Sequence, residues 1–201
     1  MLAGAELSQQ LITVNEETGN INEAGKWFYN KKRTIRAMAL DSKHPYHFGK
    51  TIMFYNPVEK DKKNVPKKMG KWKCGKTIAF LIDFLNEDGK PELRVFSQTS
   101  PAEKPYGFFP EEILAEKSVD VAIMSVADVP TEGFPYEFLK YAKPKMLLLA
   151  HWENFFRSRE KKLKQILKGD LEPVVENLGV WCDSVGIQMI MPAPGSSVIL
   201  K

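Results

Sequence analysis

Between residues 33 and 40, Ile35, Ala37 and Ala39 alternate with Thr34, Arg36 and Met38, the two-residue period of a strand. The chain then enters a polar turn, Asp41-Ser42-Lys43-His44-Pro45-Tyr46-His47-Phe48-Gly49, and residues 51–55 read as a further short strand. Two apolar runs, 77–85 and 92–96, flank Asn86-Glu87-Asp88-Gly89-Lys90, and an Asp-Gly between such runs predicts a hairpin. Residues 118–127 predict a buried strand and 135–142 a short helix. Residues 145–150 predict an apolar strand that ends at His151. Helices are expected over 5–13, 160–167 and 172–185. A closing strand pair, 188–191 with 196–200, is expected around Pro192-Ala193-Pro194-Gly195. This mixture of strands and helices places the chain in the α/β (α+β) class, and the lack of repeats or linkers makes residues 1–201 one domain.

Residues 56–76 interrupt the pattern. They hold eight lysines, from Lys60 to Lys76, and little apolar content, so they read as a long basic loop. Within that loop Gly70-Lys71-Trp72-Lys73-Cys74-Gly75-Lys76-Thr77 satisfies the nucleotide-binding pattern G-x-x-x-x-G-K-[ST]. A phosphate loop needs a buried strand before it and a helix after it, so that backbone N–H groups and the helix dipole face the phosphates. Here a basic, proline-containing stretch precedes and a strand-like run follows. The pattern therefore reads as a coincidence of Lys and Gly.

Composition narrows the classes further. The chain has 201 residues, 43% of them hydrophobic, which is enough for a core of its own. With 29 Lys plus Arg against 25 Asp plus Glu, the net charge of +4 is too small to argue for a nucleic-acid partner. Two cysteines, Cys74 and Cys182, exclude a disulfide framework and point to reduced thiols. There is no secretory signal and no apolar stretch near the ~20 residues of a bilayer span, so a soluble, cytoplasmic protein without membrane contact is expected.

Only three histidines are available for chemistry. His151 directly follows the apolar strand and His44 follows the strand ending at Leu40, and strand ends are where loops build sites on a rigid sheet. Val119-Asp120-Val121-Ala122-Ile123-Met124-Ser125-Val126, followed by Lys143-Pro144-Lys145-Met146-Leu147-Leu148-Leu149-Ala150-His151-Trp152, resembles the C-terminal part of the metallo-β-lactamase superfamily. The resemblance runs from about His44 to the end of the chain. It implies that His151 is the last metal-ligand histidine and that His44, with His47 as the alternative, is the third-site histidine. Arg94-Val95-Phe96-Ser97-Gln98-Thr99-Ser100 is similar to the strand that ends in the family's metal-bridging aspartate, with Thr99 in place of the acid. Tyr46, His47 and Trp152 would line the substrate pocket and Glu153 would support a ligand; edge-of-core packing and a solvated acid are the commoner roles for such residues.

The family's ligand motif, His-x-His-x-Asp-His, is missing, and the resemblance implies that it would lie upstream of the first helix. The expected fold is thus the C-terminal half of a four-layer αββα sandwich, beginning just after that motif. Zinc or another divalent metal is implied. A catalytic zinc needs three protein ligands, so a dinuclear centre is not expected in this chain alone, although one weakly held ion could sit between His44 and His151. Half a sandwich exposes an apolar sheet face, which a homodimer or a complementing N-terminal chain would cover. Two functions follow: a metal-dependent hydrolase of a small-molecule substrate, incomplete or degenerate in this chain, or a non-catalytic remnant or binding module on the same scaffold. The scaffold does not select the substrate class.

Overall fold

The computed structural model describes residues 26–46, 52, 67–68, 71, 77–126, 131–154, 157–158, 160–165 and 170–199. In chain order these form β1 (Phe28–Tyr29), β2 (Ile35–Ser42), β3 (Thr77–Leu85), β4 (Pro91–Gln98), α1 (Glu111–Glu116), β5 (Val121–Ser125), α2 (Tyr136–Ala142), β6 (Met146–Ala150), α3 (Leu171–Val185) and β7 (Gln188–Ile190). The seven strands make one sheet in their sequence order. β1 to β4 pair antiparallel and β4 to β7 pair parallel, so the chain is a mixed-sheet α+β protein.

The strand order dictates where the helices go. Each parallel step, β4 to β5, β5 to β6 and β6 to β7, moves one position the same way along the sheet. Right-handed crossovers then put all three connecting helices on one face. That face is the core: Met38 and Leu40 of β2, Leu81 of β3, Phe96 of β4, Met124 of β5 and Leu149 of β6 pack in one cluster with Phe138 and Leu139 of α2 and Leu178 and Cys182 of α3. α3 shows why its segment is helical. Asp170 caps it by accepting from the Glu172 N–H at 3.3 Å, Leu178 and Cys182 lie four apart on the buried side, and Gly186 ends it at φ 76°. Burial and the nearby Asp183 push the Cys182 thiol up, which keeps it unreactive.

The opposite face is also apolar but carries no helix among the described residues. Ile78, Phe80, Ile82, Val95 and Leu148 are only partly buried there, and Phe84 is 42% exposed. This half-covered face matters for the function proposed below.

The hairpin and the strand over 77–85 form as the pattern predicts, while the strands expected over 118–127 and 145–150 are realised as the shorter Val121–Ser125 and Met146–Ala150. The β3–β4 turn closes through Asn86 N–H to the Lys90 carbonyl at 2.9 Å, with Gly89 in the left-handed region at φ 74°. Thr77 opens a strand, so the helix that a phosphate loop requires is not there. The strand expected over 33–40 starts and ends two residues later, at Ser42.

Two expectations fail. Residues 160–165 are turn and extended chain, with Gln165 bridging Glu153; this Lys-rich stretch offers one apolar side chain, Leu163, which is 49% exposed. Without a buried stripe, propensity alone does not hold a short helix. Residues 196–199 are not a strand either. β7 pairs in parallel with β6, while Pro192 and Pro194 lack ladder donors and Ser196 turns back on the Ala193 carbonyl at 3.0 Å. β1 and α1 have too few residues to show a period, and the sequence pattern does not reveal them. The helix over 5–13, the strand over 51–55 (except Ile52) and most of the basic loop lie outside the described residues.

One loop glycine fixes the carboxyl end of the sheet. Gly107, at φ 80°, donates its N–H to the Asp41 carbonyl at 2.8 Å, and an added Cβ would stand 2.7 Å from Gln98 Oε1. Gln98 is 1% exposed and donates to Ser42 Oγ at 3.2 Å, so it has no room to retreat. Gly107→Ala is therefore expected to lower stability by about 1–3 kcal/mol, read as a fall in the urea midpoint with an unchanged slope.

Candidate functional site

β2 runs parallel to β4, because each is antiparallel to β3. The carboxyl ends of β2, β4, β5, β6 and β7 therefore share one edge of the sheet. His44, Thr99, His151 and Trp152 all lie just beyond those ends, and ligands in open sheets with parallel strands bind outside the carboxyl ends of the strands.

His151 is the most constrained of the four. It follows β6 directly and holds a left-handed backbone, φ 58°, a conformation that costs a non-glycine residue about 1–2 kcal/mol. Its Nδ1 lies 3.3 Å from the Thr99 carbonyl oxygen and 3.5 Å from Ser125 Oγ. When Nδ1 carries the proton, the Thr99 carbonyl is placed to accept it and the ring's lone pair is on Nε2. A backbone carbonyl that fixes the ring in this tautomer is the usual support of an imidazole that acts as a ligand or a base. Strand register explains the meeting: Gln98 pairs with Met124 and Ser125 with Ala150, so the residues that follow come together at the edge.

The structure thus brings His151 and Thr99 together, with a correction to the role of Thr99. Its main-chain carbonyl, rather than its hydroxyl, is what meets the imidazole. His44 lies half-buried two residues beyond β2. Four strand spacings separate β2 from β6, about 19 Å at the usual inter-strand distance, so the sheet does not by itself set His44 beside His151. Among the described residues no group of three or more His, Cys, Asp or Glu converges as a metal site. The donor set therefore fits one ligand position of a metal centre, at His151, and not a complete centre.

The predicted pocket aromatics are placed differently. Trp152 is half-buried against the core and donates from Nε1 to the Pro192 carbonyl at 3.0 Å, which ties the loop after β6 to the loop after β7. Tyr46 is 44% exposed and accepts from Lys43 Nζ at 3.2 Å. Lys43 also bonds Glu103. Burial works against both charged forms, yet that pairing holds Lys43 above and Glu103 below their ordinary values. His47 lies outside the described residues. Glu153 forms a backbone bridge with Gln165 and lines the cleft described below.

The sequence pattern does not single out the most deeply buried polar cluster, which lies toward the other edge of the sheet. Arg36, Asp83 and Arg94 pair directly across β2, β3 and β4 on the helix-covered face. Asp83 accepts from Arg36 Nε at 2.8 Å and from Arg94 Nε at 2.7 Å and Nη2 at 2.8 Å, and Glu116 of α1 accepts from Arg36 at 2.6 Å and Arg94 at 3.0 Å. Arg94 Nη1 donates to the Ile113 and Lys117 carbonyls, so all five of its N–H donors are used. Burial alone would lower Arg36, and its bonds to Glu116, Tyr29 and Asp83 raise it well above the ordinary arginine value. Asp120 holds Lys117 at 2.6 Å and Lys145 at 2.7 Å; burial alone would push its carboxyl up, but these partners and the Arg94 N–H hold it below the usual range. Each charged group here is paired with an opposite charge, which marks a structural clamp for α1 and the starts of β5 and β6.

Comparison of the chain with protein-family models, curated proteins and solved structures returns no match. No helix among the described residues is long and apolar enough to cross a membrane.

Proposed function

We propose that this chain is one half of a metal-dependent hydrolase of the metallo-β-lactamase type, acting in the cytoplasm on a small-molecule substrate. The observation that carries the reading is His151, held in a left-handed backbone directly after β6 with its Nδ1 3.3 Å from the Thr99 carbonyl oxygen at the carboxyl edge of the sheet. Strain of this kind persists where the surrounding structure over-determines it, and it concentrates at functional sites. In this reading a second layer, from a complementing chain or a second copy, docks on the half-covered face. That layer completes the four-layer αββα arrangement and supplies the remaining ligands. Zinc or another divalent ion would activate water there; His151 would contribute one ligand, oriented by Thr99 and Ser125.

Zinc titration of the purified chain tests this. The expected result is one weakly held ion per chain, lost in His151→Gly. Glycine removes the imidazole and also relieves about 1–2 kcal/mol of left-handed strain, so the urea midpoint should not fall. Zinc binding that ignores the substitution would overturn the reading. A second reading, a non-catalytic binding module on the same scaffold, is favoured by the neutral Thr99 at the position where the resemblance implies a metal-bridging acid. It predicts a metal-free protein.

A further inference from the structure

The loop that leaves His151 builds a second feature at the same edge. The two ends of this loop come back together: Asn154 N–H meets the Lys164 carbonyl at 2.7 Å, and Glu153 bridges Gln165. Inside the fold-back, Arg157 N–H bonds the Asn154 carbonyl and Lys161 N–H bonds the Ser158 carbonyl, each at 3.1 Å. The Trp152 bond to the Pro192 carbonyl holds this loop against the turn at Pro194 and Gly195. Between loop and turn lies a cleft of about 660 Å³, within the range that takes a small molecule.

The charge of the cleft is one-sided. Among the described residues, Arg157, Lys161, Lys162 and Lys164 line it against one carboxylate, that of Glu153. Arg157 Nε is buried and has no hydrogen-bond partner among the described residues. The buried Nε is out of a ligand's reach, so the fork that matches two oxygens of one phosphate group is the terminal Nη pair. Four cations held in a concavity suit a compact polyanionic group better than an extended strand, which would ask for a basic stripe.

We propose that this cleft binds the phosphate group of a small phosphorylated molecule, with Arg157 as the bidentate anchor and Lys161, Lys162 and Lys164 as surrounding charge. The cleft is lined by the loop that follows His151 and by the turn after β7; as a substrate class for the hydrolase it rests on that reading, whereas the binding itself does not depend on metal.

Calorimetric titration of the full chain with phenylphosphonate, a non-hydrolysable dianion, tests the proposal, with benzyl alcohol as the uncharged control. Phenylphosphonate should bind, benzyl alcohol should not, and added salt should weaken the complex. Arg157→Ala should weaken it about tenfold to a hundredfold, the loss of one charge-assisted pair. Arg157→Lys, which keeps the charge without the fork, should fall between, and Lys90→Ala in the β3–β4 turn should change nothing. No binding, equal binding of both probes, or binding indifferent to Arg157→Ala overturns the proposal. So does much tighter binding of a short single-stranded oligonucleotide, which would make the site a nucleic-acid surface. Zinc titration of the same chain separates the two claims: phosphonate binding without zinc binding leaves the cleft and removes the hydrolase, and zinc binding without phosphonate binding leaves the hydrolase and removes the cleft.

Discussion

Asp83→Ala is expected to destabilise the protein by about 3–5 kcal/mol, enough to unfold much of it at ordinary temperature if its total stability lies in the usual ~5–15 kcal/mol range. Asp83 is fully buried, and so is Arg94; Arg36 is 7% exposed. The carboxylate is the shared acceptor of both guanidinium groups, through Arg36 Nε and through Arg94 Nε and Nη2. Its removal leaves two cations side by side with Glu116 as their remaining carboxylate, and Glu116 is 42% exposed at its side chain. Coulomb repulsion and unmatched donors then add. The measurement is urea denaturation followed by circular dichroism, with Asp83→Asn as the partial case. Replacing Arg36, Asp83 and Arg94 together by apolar residues of similar volume should recover most of the loss, because a buried ion cluster seldom outweighs its own desolvation. Recovery would show that the cluster contributes through pairing and that no further group depends on it. Trp27, whose ring centroid lies 4.1 Å from the Arg36 guanidinium carbon, would lose its cation–π contact in the triple variant only.

The contrast between this cluster and His151 shows what the sequence can and cannot disclose. Asp83 sits inside an apolar run and Arg94 inside a strand, and neither looks remarkable in a one-dimensional pattern. The Asp-Gly turn at Asp88-Gly89 is a strong local signal, however, and folding the hairpin about it sets Asp83 opposite Arg94. The ion pair was thus legible one step beyond the pattern, by applying register to a hairpin already inferred. Arg36 was not legible in that way, because β2 and β3 are joined through 34 residues whose pairing no turn signal fixes.

His151 was legible by a different route. A short, wholly apolar strand ends where a polar residue begins, and a parallel strand must deliver that residue to the sheet edge. Its partner was legible only as a position. Thr99 stands at the right strand end, but sequence alone suggests its hydroxyl, whereas the geometry uses its carbonyl. Backbone groups leave no residue-type signature. The cleft beyond His151 was hidden for a related reason: Lys161, Lys162 and Lys164 suggested the polar side of a helix, and the fold-back that turns them toward a common space depends on backbone bonds from Asn154 and Glu153.

The helical side of the core rests on one side chain. Phe138 in α2 stacks on Phe96 of β4 at 3.9 Å between ring centroids and meets the edges of Phe108 and Phe109 at 5.7 and 6.3 Å. It is 3% exposed, and α2 has seven residues, too few to be helical without tertiary contacts. Phe138→Ala should cost about 3–5 kcal/mol, since the ring's transfer energy is lost and the rigid sheet beneath cannot collapse into the space. Phe138→Leu, which keeps most of the volume, should cost under about 1.5 kcal/mol. The two should also differ in kind. Phe108 and Phe109 belong to the segment linking Gly107 at the sheet edge to α1, so emptying the Phe138 position loosens the wall that holds Gln98 and Thr99 in place. Hydrogen exchange of Phe108, Phe109 and Gly107 amides should therefore speed up in Phe138→Ala more than at β2, and scarcely change in Phe138→Leu. Uniform acceleration across the sheet would mean that Phe138 stabilises the fold as a whole and does not specifically brace the Thr99 end of β4.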